Sequence, residues 1–310
     1  MRTAASRLPK GFSLDERLSA CSSNYEPAPK KHAGKWRNWF APGAEGRSIE
    51  PNAADAPGFS AQKNQNAATS CAQQAEPYEA VVLDLGCGKG EYTVAVAAEH
   101  PNVLFVGLDV DGVCVMRAAE RAIVQGVSNA VFAIHDDSPL DETFGAGELS
   151  ALLLNFPTPF PKKKKAALRL THFERLMAYR PLLAEGAAVR LRTDSQPLRD
   201  FSLTQLEIAG YQLQWQSDDV RALFPAEPWS GYERKLTQQG APVLGFAATP
   251  GPAPENPQQT APLSLVSYLP ENIEELTYVP HGMQGCVDNM KGRRANRRAK
   301  GLPEWQRPVI

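Results

Sequence analysis

Between residues 78 and 249 short apolar runs alternate with segments of helical period. The runs at 81–85, 103–109, 130–135, 149–155 and 187–193 predict buried strands, and 211–216 with 243–248 end the series. The stretches 91–100, 112–125, 166–184 and 197–209 predict helices, with leucines and aromatics near helical spacing. Strands that alternate with helices argue for a parallel α/β sheet covered on both faces. The last two strands suit a closing antiparallel hairpin.

The flanks lack this pattern. Residues 1–77 are rich in Ala, Ser, Asn, Gln, Pro and Lys and predict a largely disordered region. Within it, 12–18 suits a short amphipathic turn. The segment 34–40, Gly-Lys-Trp-Arg-Asn-Trp-Phe, sets aromatics among basic residues. Such an island can pack on the main domain or stack on a base. Residues 250–270 read as a proline-rich linker. Residues 271–310 read as a basic tail too small to bury a core of its own.

Composition adds one thing to this picture. The formal net charge of −1 conceals a polarised chain. Residues 76–156 carry 3 Lys/Arg against 13 Asp/Glu, whereas 160–200 carry 10 against 4, and 291–300 carry 6 against none. Cys21, Cys71, Cys87, Cys114 and Cys286 are odd in number and lack metal-ligand spacing, so they read as free thiols in a reducing compartment, with no metal site. The first ten residues lack the apolar run of a secretion signal, and no run is long enough to span a membrane. These features predict a cytoplasmic protein without a membrane anchor. They leave its state open between monomer and homodimer.

The candidate chemistry lies at strand ends. Asp84-Leu85-Gly86-Cys87-Gly88-Lys89-Gly90 joins the first strand to the first helix. Glycines there let a ligand approach the backbone, and the helix start offers free N–H groups. The spacing G-x-G-x-G differs from the G-x-G-x-x-G that binds a pyrophosphate, and Asp84 before it suits a ligand with an ammonium group. Asp109 ends the second strand, where a carboxylate reaches ribose hydroxyls. Asp136 follows the third strand. The alternative for these acids is solvent exposure at strand ends. Beyond the fourth strand, 155–165 reads Asn-Phe-Pro-Thr-Pro-Phe-Pro-Lys-Lys-Lys-Lys. Its prolines fix φ and bias the preceding residues to extended geometry. Phe156 and Phe160 offer flat faces to a purine and Lys162 to Lys165 offer charge to phosphates, joined by Arg169 and the tail cations. The alternative is a plain strand-to-helix connection with solvated lysines.

Asp84, Gly86, Gly88, Asp109 and Asp136 together resemble the S-adenosylmethionine site of class I methyltransferases, in which the third acid lies near the adenine amino group. The loop 155–165 resembles the Phe-x-Asp-Pro-Trp/Phe-Pro-Lys-Lys loop of bacterial tRNA (guanine-N7-)-methyltransferases. Gly34-Lys35-Trp36, Leu170-Thr171, Thr193-Asp194, Ser230-Gly231-Tyr232-Glu233-Arg234-Lys235 and Gly240-Ala241-Pro242-Val243 match that family's motifs in order. The resemblance covers 34–40 and 78–249.

The resemblance implies a Rossmann-like class I methyltransferase fold: a mostly parallel seven-stranded sheet with helices on both faces and an antiparallel last strand. It implies an S-adenosylmethionine cofactor bound by Asp84, Gly86, Gly88, Asp109 and Asp136. It implies a tRNA partner contacted by Lys162, Asp194, Ser230, Gly231, Tyr232 and Glu233. Thr158 stands where the family has an aspartate assigned to the active site, so the catalytic and donor-contacting position is held here by a hydroxyl. The implied activity is methylation of guanine N7 in tRNA, at the variable-loop guanosine. Two other readings are a weakened RNA-binding methyltransferase-like protein and a methyltransferase for another substrate.

Overall fold

The structure is a computed structural model that describes residues 11–40 and 76–303. Seven strands form one sheet: β1 (Ala80–Leu85), β2 (Val103–Asp109), β3 (Ala130–Ile134), β4 (Leu149–Asn155), β5 (Leu183–Thr193), β6 (Tyr211–Ser217) and β7 (Leu244–Pro250). Their order is β3-β2-β1-β4-β5-β7-β6. All neighbours pair in parallel except β7, which is antiparallel to both β5 and β6. The β1, β2 and β4 runs are apolar on both faces because both faces are covered.

The helices are α1 (Leu14–Ala20), α2 (Glu91–Glu99), α3 (Gly112–Gln125), α4 (Phe173–Tyr179), α5 (Gln196–Ile208), α6 (Val220–Leu223), α7 (Gly231–Thr237) and α8 (Gln284–Ala299). Their starts are chemically marked. Asp111 accepts from the N–H groups of Val113 and Cys114 to open α3, and Ser195 and Ser230 cap α5 and α7. One face of the sheet packs Val82, Phe105 and Phe132 against α2 and α3. The other packs Leu83, Val106, Leu152 and Leu191 against Tyr179, Leu206 and Trp36. Among the described residues no helix is long and apolar enough to cross a membrane.

Three expectations are corrected. The helix expected over 166–184 is broken. Lys163–Leu168 is a 3-10 turn, α4 spans Phe173–Tyr179, and Pro181 leads into β5, which starts at Leu183 rather than 187.

The described part of the N-terminal region, 11–40, is folded rather than disordered; 41–75 and Cys71 lie outside the described residues. Leu18 and Cys21 pack on the α3 face of the core. Tyr25 bridges Phe132, so this segment covers the outer edge of β3. The Asn24 side-chain amide donates to the carbonyls of Val127 and Ala130, at 2.8 and 2.7 Å. Trp36 is fully buried, and its indole N–H donates to the Thr143 carbonyl at 2.8 Å. Packing, not base stacking, therefore accounts for Trp36 and Trp39, both buried in the core.

The third correction concerns the C-terminal segment. Leu265, Tyr268, Leu269, Ile273, Met283, Val287 and Met290 form a third apolar cluster with Leu198 and Phe201 of α5. The tail is too short for a core of its own and borrows one side from the main domain. The stretch expected as a linker carries part of that cluster, and the expected tail contains α8.

Candidate active site

The sheet order reverses direction between β1 and β4, and the C-terminal edge at this point is where open α/β sheets bind ligands. Asp84 lies there, buried, one residue before the end of β1. Thr93 Oγ1 of α2 donates to its Oδ2 at 2.6 Å, and Asn155 Nδ2 at the end of β4 donates to Oδ1 at 3.3 Å. Burial outweighs those bonds and pushes the Asp84 carboxyl up to about 6.

The glycine turn follows. Gly86, Gly88 and Gly90 all have positive φ, at 83°, 55° and 67°. A Cβ at Gly90 would lie 2.6 Å from Ala118 Cβ, so this position is closed from inside. At Gly86 and Gly88 a Cβ would meet nothing within 4 Å, so their backbone borders open space. Asp109 holds this turn in place. Its Oδ2 accepts from Gly88 N–H and its Oδ1 from Asp111 N–H, each at 2.9 Å. Asp136 is different in kind. It is largely exposed, and it is held below the usual carboxylate range by Ser138, whose N–H donates at 3.1 Å, and by Lys30 at 3.1 Å. Lys30 comes from the N-terminal segment and was not singled out from the sequence.

Beyond β4 the proline loop departs from its expected geometry. Phe156 and Phe160 precede prolines, yet their φ values are +50° and +43°. Non-glycine residues there are strained and persist only where surroundings over-determine them. The surroundings are visible. Phe156 N–H donates to the Arg192 carbonyl at 2.7 Å, and its ring meets Tyr232 edge-on at 5.7 Å.

Arg169 does more. Expected to bind phosphate, it is fully buried beneath the loop. Its guanidinium donates to the carbonyls of Pro159 at 3.0 Å, Phe160 at 2.8 Å and Leu263 at 2.8 Å, and lies 4.3 Å from the Phe201 ring centroid. Burial lowers its pKa to about 10. The signal for this role was its place between Leu168 and Leu170 in an apolar stretch. Thr158 and Lys162 to Lys164 remain exposed, and Lys165 lies 5.8 Å from the Phe160 centroid.

The later motif residues separate. Ser230 Oγ accepts from Glu233 N–H at 3.0 Å, and Gly231 N–H donates to Glu91 beside the glycine turn. Tyr232 is exposed. Glu233 is buried and paired with Arg192 at 2.7 Å and with Arg221, so it does not face the mouth as a free carboxylate. Asp194 is mostly buried. Its Oδ2 accepts from the Tyr278 hydroxyl at 2.5 Å and His281 N–H at 3.3 Å. Both partners come from the C-terminal segment, and no motif singled them out. Gly282 borders Pro159, and Leu265 N–H donates to the Pro161 carbonyl at 3.0 Å, so this segment lies along the proline loop.

The arrangement joins an acid-lined, open-backboned turn to a rigid loop that presents a hydroxyl, aromatic rings and lysines. Among the described residues no group of three or more His, Cys, Asp or Glu side chains is placed to hold a metal ion.

Residues 78–245 match a family model described as "Putative methyltransferase". The tRNA (guanine-N(7)-)-methyltransferase of Christiangramia forsetii is 30% identical over 168 residues, covering 53% of this chain and 75% of its own. That of Brevibacillus brevis is 31% identical over 169 residues, covering 54% and 79%. With the sheet order of a class I methyltransferase and these matches, the chain belongs to the tRNA (guanine-N(7)-)-methyltransferase family.

Proposed function

We propose that this protein transfers the methyl group of S-adenosylmethionine to N7 of a guanine in tRNA, in the cytoplasm, with the variable-loop guanosine as target. The observation that supports it most is the single mouth shared by Asp84, the open glycine turn, Asp109 and the lysine-bearing proline loop. The donor fits this mouth. Gly86 and Gly88 leave room along the backbone, and two carboxylates suit an ammonium and a ribose. Asp84, Gly86, Gly88 and Asp109 would hold it, with Asp136 at its adenine end. When bound, the donor supplies a methyl group on a sulfonium that a lone pair can accept.

Guanine N7 carries such a lone pair and no proton, so transfer requires no general base. The chain has to align the base and keep water out. The Thr158 hydroxyl can accept one hydrogen bond from the Watson–Crick edge, where a carboxylate accepts two. Asp194 Oδ1 can accept another. Glu233 is committed to its arginines and instead fixes α7, which carries Tyr232 against Phe156. Ser230 and Gly231 fix the start of the same helix, and exposed Lys162 would meet phosphate.

The test is incubation with unmodified tRNA and labelled donor, followed by N7-specific chain scission. Scission at the labelled guanosine is expected. Label without scission places the methyl on another atom. Donor binding without transfer supports an RNA-binding protein, a reading favoured by the Tyr278 hydroxyl on Asp194.

A pH dependence follows from Asp84. The neutral acid is favoured in the ligand-free fold, so Asp84 opposes folding as pH rises from 3.8 through about 6. A donor ammonium favours the carboxylate and reverses this. S-adenosylhomocysteine should therefore bind about tenfold more weakly at pH 5 than at pH 7. Calorimetry on the protein and on Asp84→Asn checks this. An equal ratio in both would remove Asp84 from donor binding.

A further inference from the structure

Helix α8 lies outside the family match, which ends at residue 245. Its buried stripe is Met283, Val287, Met290 and Arg294, at spacings of four, three and four. The first three sit in the cluster with Leu198 and Phe201, so the helix is anchored on α5. Arg294 pairs with Glu274 at 2.7 Å. The residues just before the helix touch the candidate site. His281 N–H reaches Asp194, and Gly282 borders Pro159. The helix thus begins at the mouth, and about 24 Å of its length follows.

No acidic residue occurs from 289 to 303, whereas six Lys or Arg occur there. Arg294 is used by Glu274, and Arg298 lies within electrostatic reach of the same carboxylate. Arg293, Arg297 and Lys300 are exposed and recur at i, i+4 and i+7, which places them on one face. Favourable interaction with the helix C-terminus would account for Arg297 and Lys300 in the last turn. It does not account for Arg293, nor for the lack of acids beyond Asp288 on a helix fixed beside a site whose loop carries Lys162 to Lys164.

We infer that the Arg293–Arg297–Lys300 face of α8 is an RNA-backbone surface, continuous with the loop lysines, that holds the substrate at phosphates roughly 15 to 26 Å along the helix from its start at the mouth. This rests on the proposed tRNA reading and adds a second anchoring point to it. Phosphate contacts position a nucleic acid and carry no sequence information, so the face sets affinity and register rather than choice of base.

The test uses the full chain with Arg293, Arg297 and Lys300 all replaced by Gln, and a companion in which Arg293 and Arg297 become Lys. tRNA binding is measured from 50 to 250 mM salt. The Gln variant is expected to bind roughly tenfold more weakly near 0.1 M, with a log–log salt slope shallower by about 2 to 3. KM for tRNA should rise with kcat and S-adenosylhomocysteine affinity unchanged, and the Lys variant should keep the wild-type slope. An unchanged slope in a Gln variant that melts like wild type overturns the proposal. So does equal loss in the charge-preserving variant, which would make the effect structural. Loss of binding to polyglutamate with tRNA binding intact overturns it too, and assigns the face to an acidic protein. If wild type gives no N7 scission while the slope still changes, the function reading fails and the surface stands.

Discussion

Arg169→Ala should destabilise the protein by about 3 to 5 kcal/mol in urea unfolding and abolish methyl transfer through collapse of the proline loop. The residue is fully buried, and its guanidinium is the shared donor for carbonyls of Pro159, Phe160 and Leu263. Removing it leaves acceptors without a donor, at about 1 to 3 kcal/mol for each that water cannot reach. The contact over Phe201 is lost as well. The loop then loses what holds Phe160 at positive φ. Arg169→Lys should recover less than half of the loss, because an ammonium cannot reproduce a planar fork over three carbonyls. A phosphate-binding Arg169, as charge alone suggested, would behave in the opposite way. Its alanine variant would melt within about 0.5 kcal/mol of wild type and lose only RNA affinity.

Glu233→Ala should cost a comparable 3 to 5 kcal/mol, the usual penalty of about that size for breaking a buried ion pair from one side. Glu233 joins Arg192 of β5 to Arg221 of α6. Arg192 is itself buried, and its Nε has no hydrogen-bond partner among the described residues. Glu227 pairs with Arg190 at 2.6 Å and Arg192 at 3.2 Å, so it partly compensates for Arg192 but makes no such pair with Arg221. Glu233→Gln keeps the shape while removing the charge, and should cost nearly as much. Chemical denaturation of both variants is the measurement. A loss of guanine affinity with unchanged stability would return Glu233 to the mouth as a base contact.

These two residues show where the sequence was readable and where it was not. Strands β1, β2 and β4 could be read because their runs are covered on both faces and are therefore mostly apolar. Asp84 could be placed because a strand end followed by glycines fixes where a side chain emerges, and Asp109 because it is the last residue of its strand. Arg169 and Glu233 could be identified as charges but not located. Their roles depend on carbonyls and arginines brought from elements far away in the chain. The same limit applies to Tyr278, whose partner Asp194 is 84 residues earlier. Trp36 carried no period at all, because a single indole fills a slot that no helix or strand repeats. The positive φ of Phe156 and Phe160 runs against the local preference before proline, and only tertiary contacts hold it.

The covering of the β3 edge by residues 24–26 has a consequence for where this protein can be cut. The family-model match begins at residue 78, but the sheet is not finished there. A chain trimmed to start at residue 78 would carry a bare parallel strand at one border and an indole-sized void beneath β1. It would meet its own copies through that border before it met any substrate. The limits of the family-model match and the limits of solubility therefore fall at different residues.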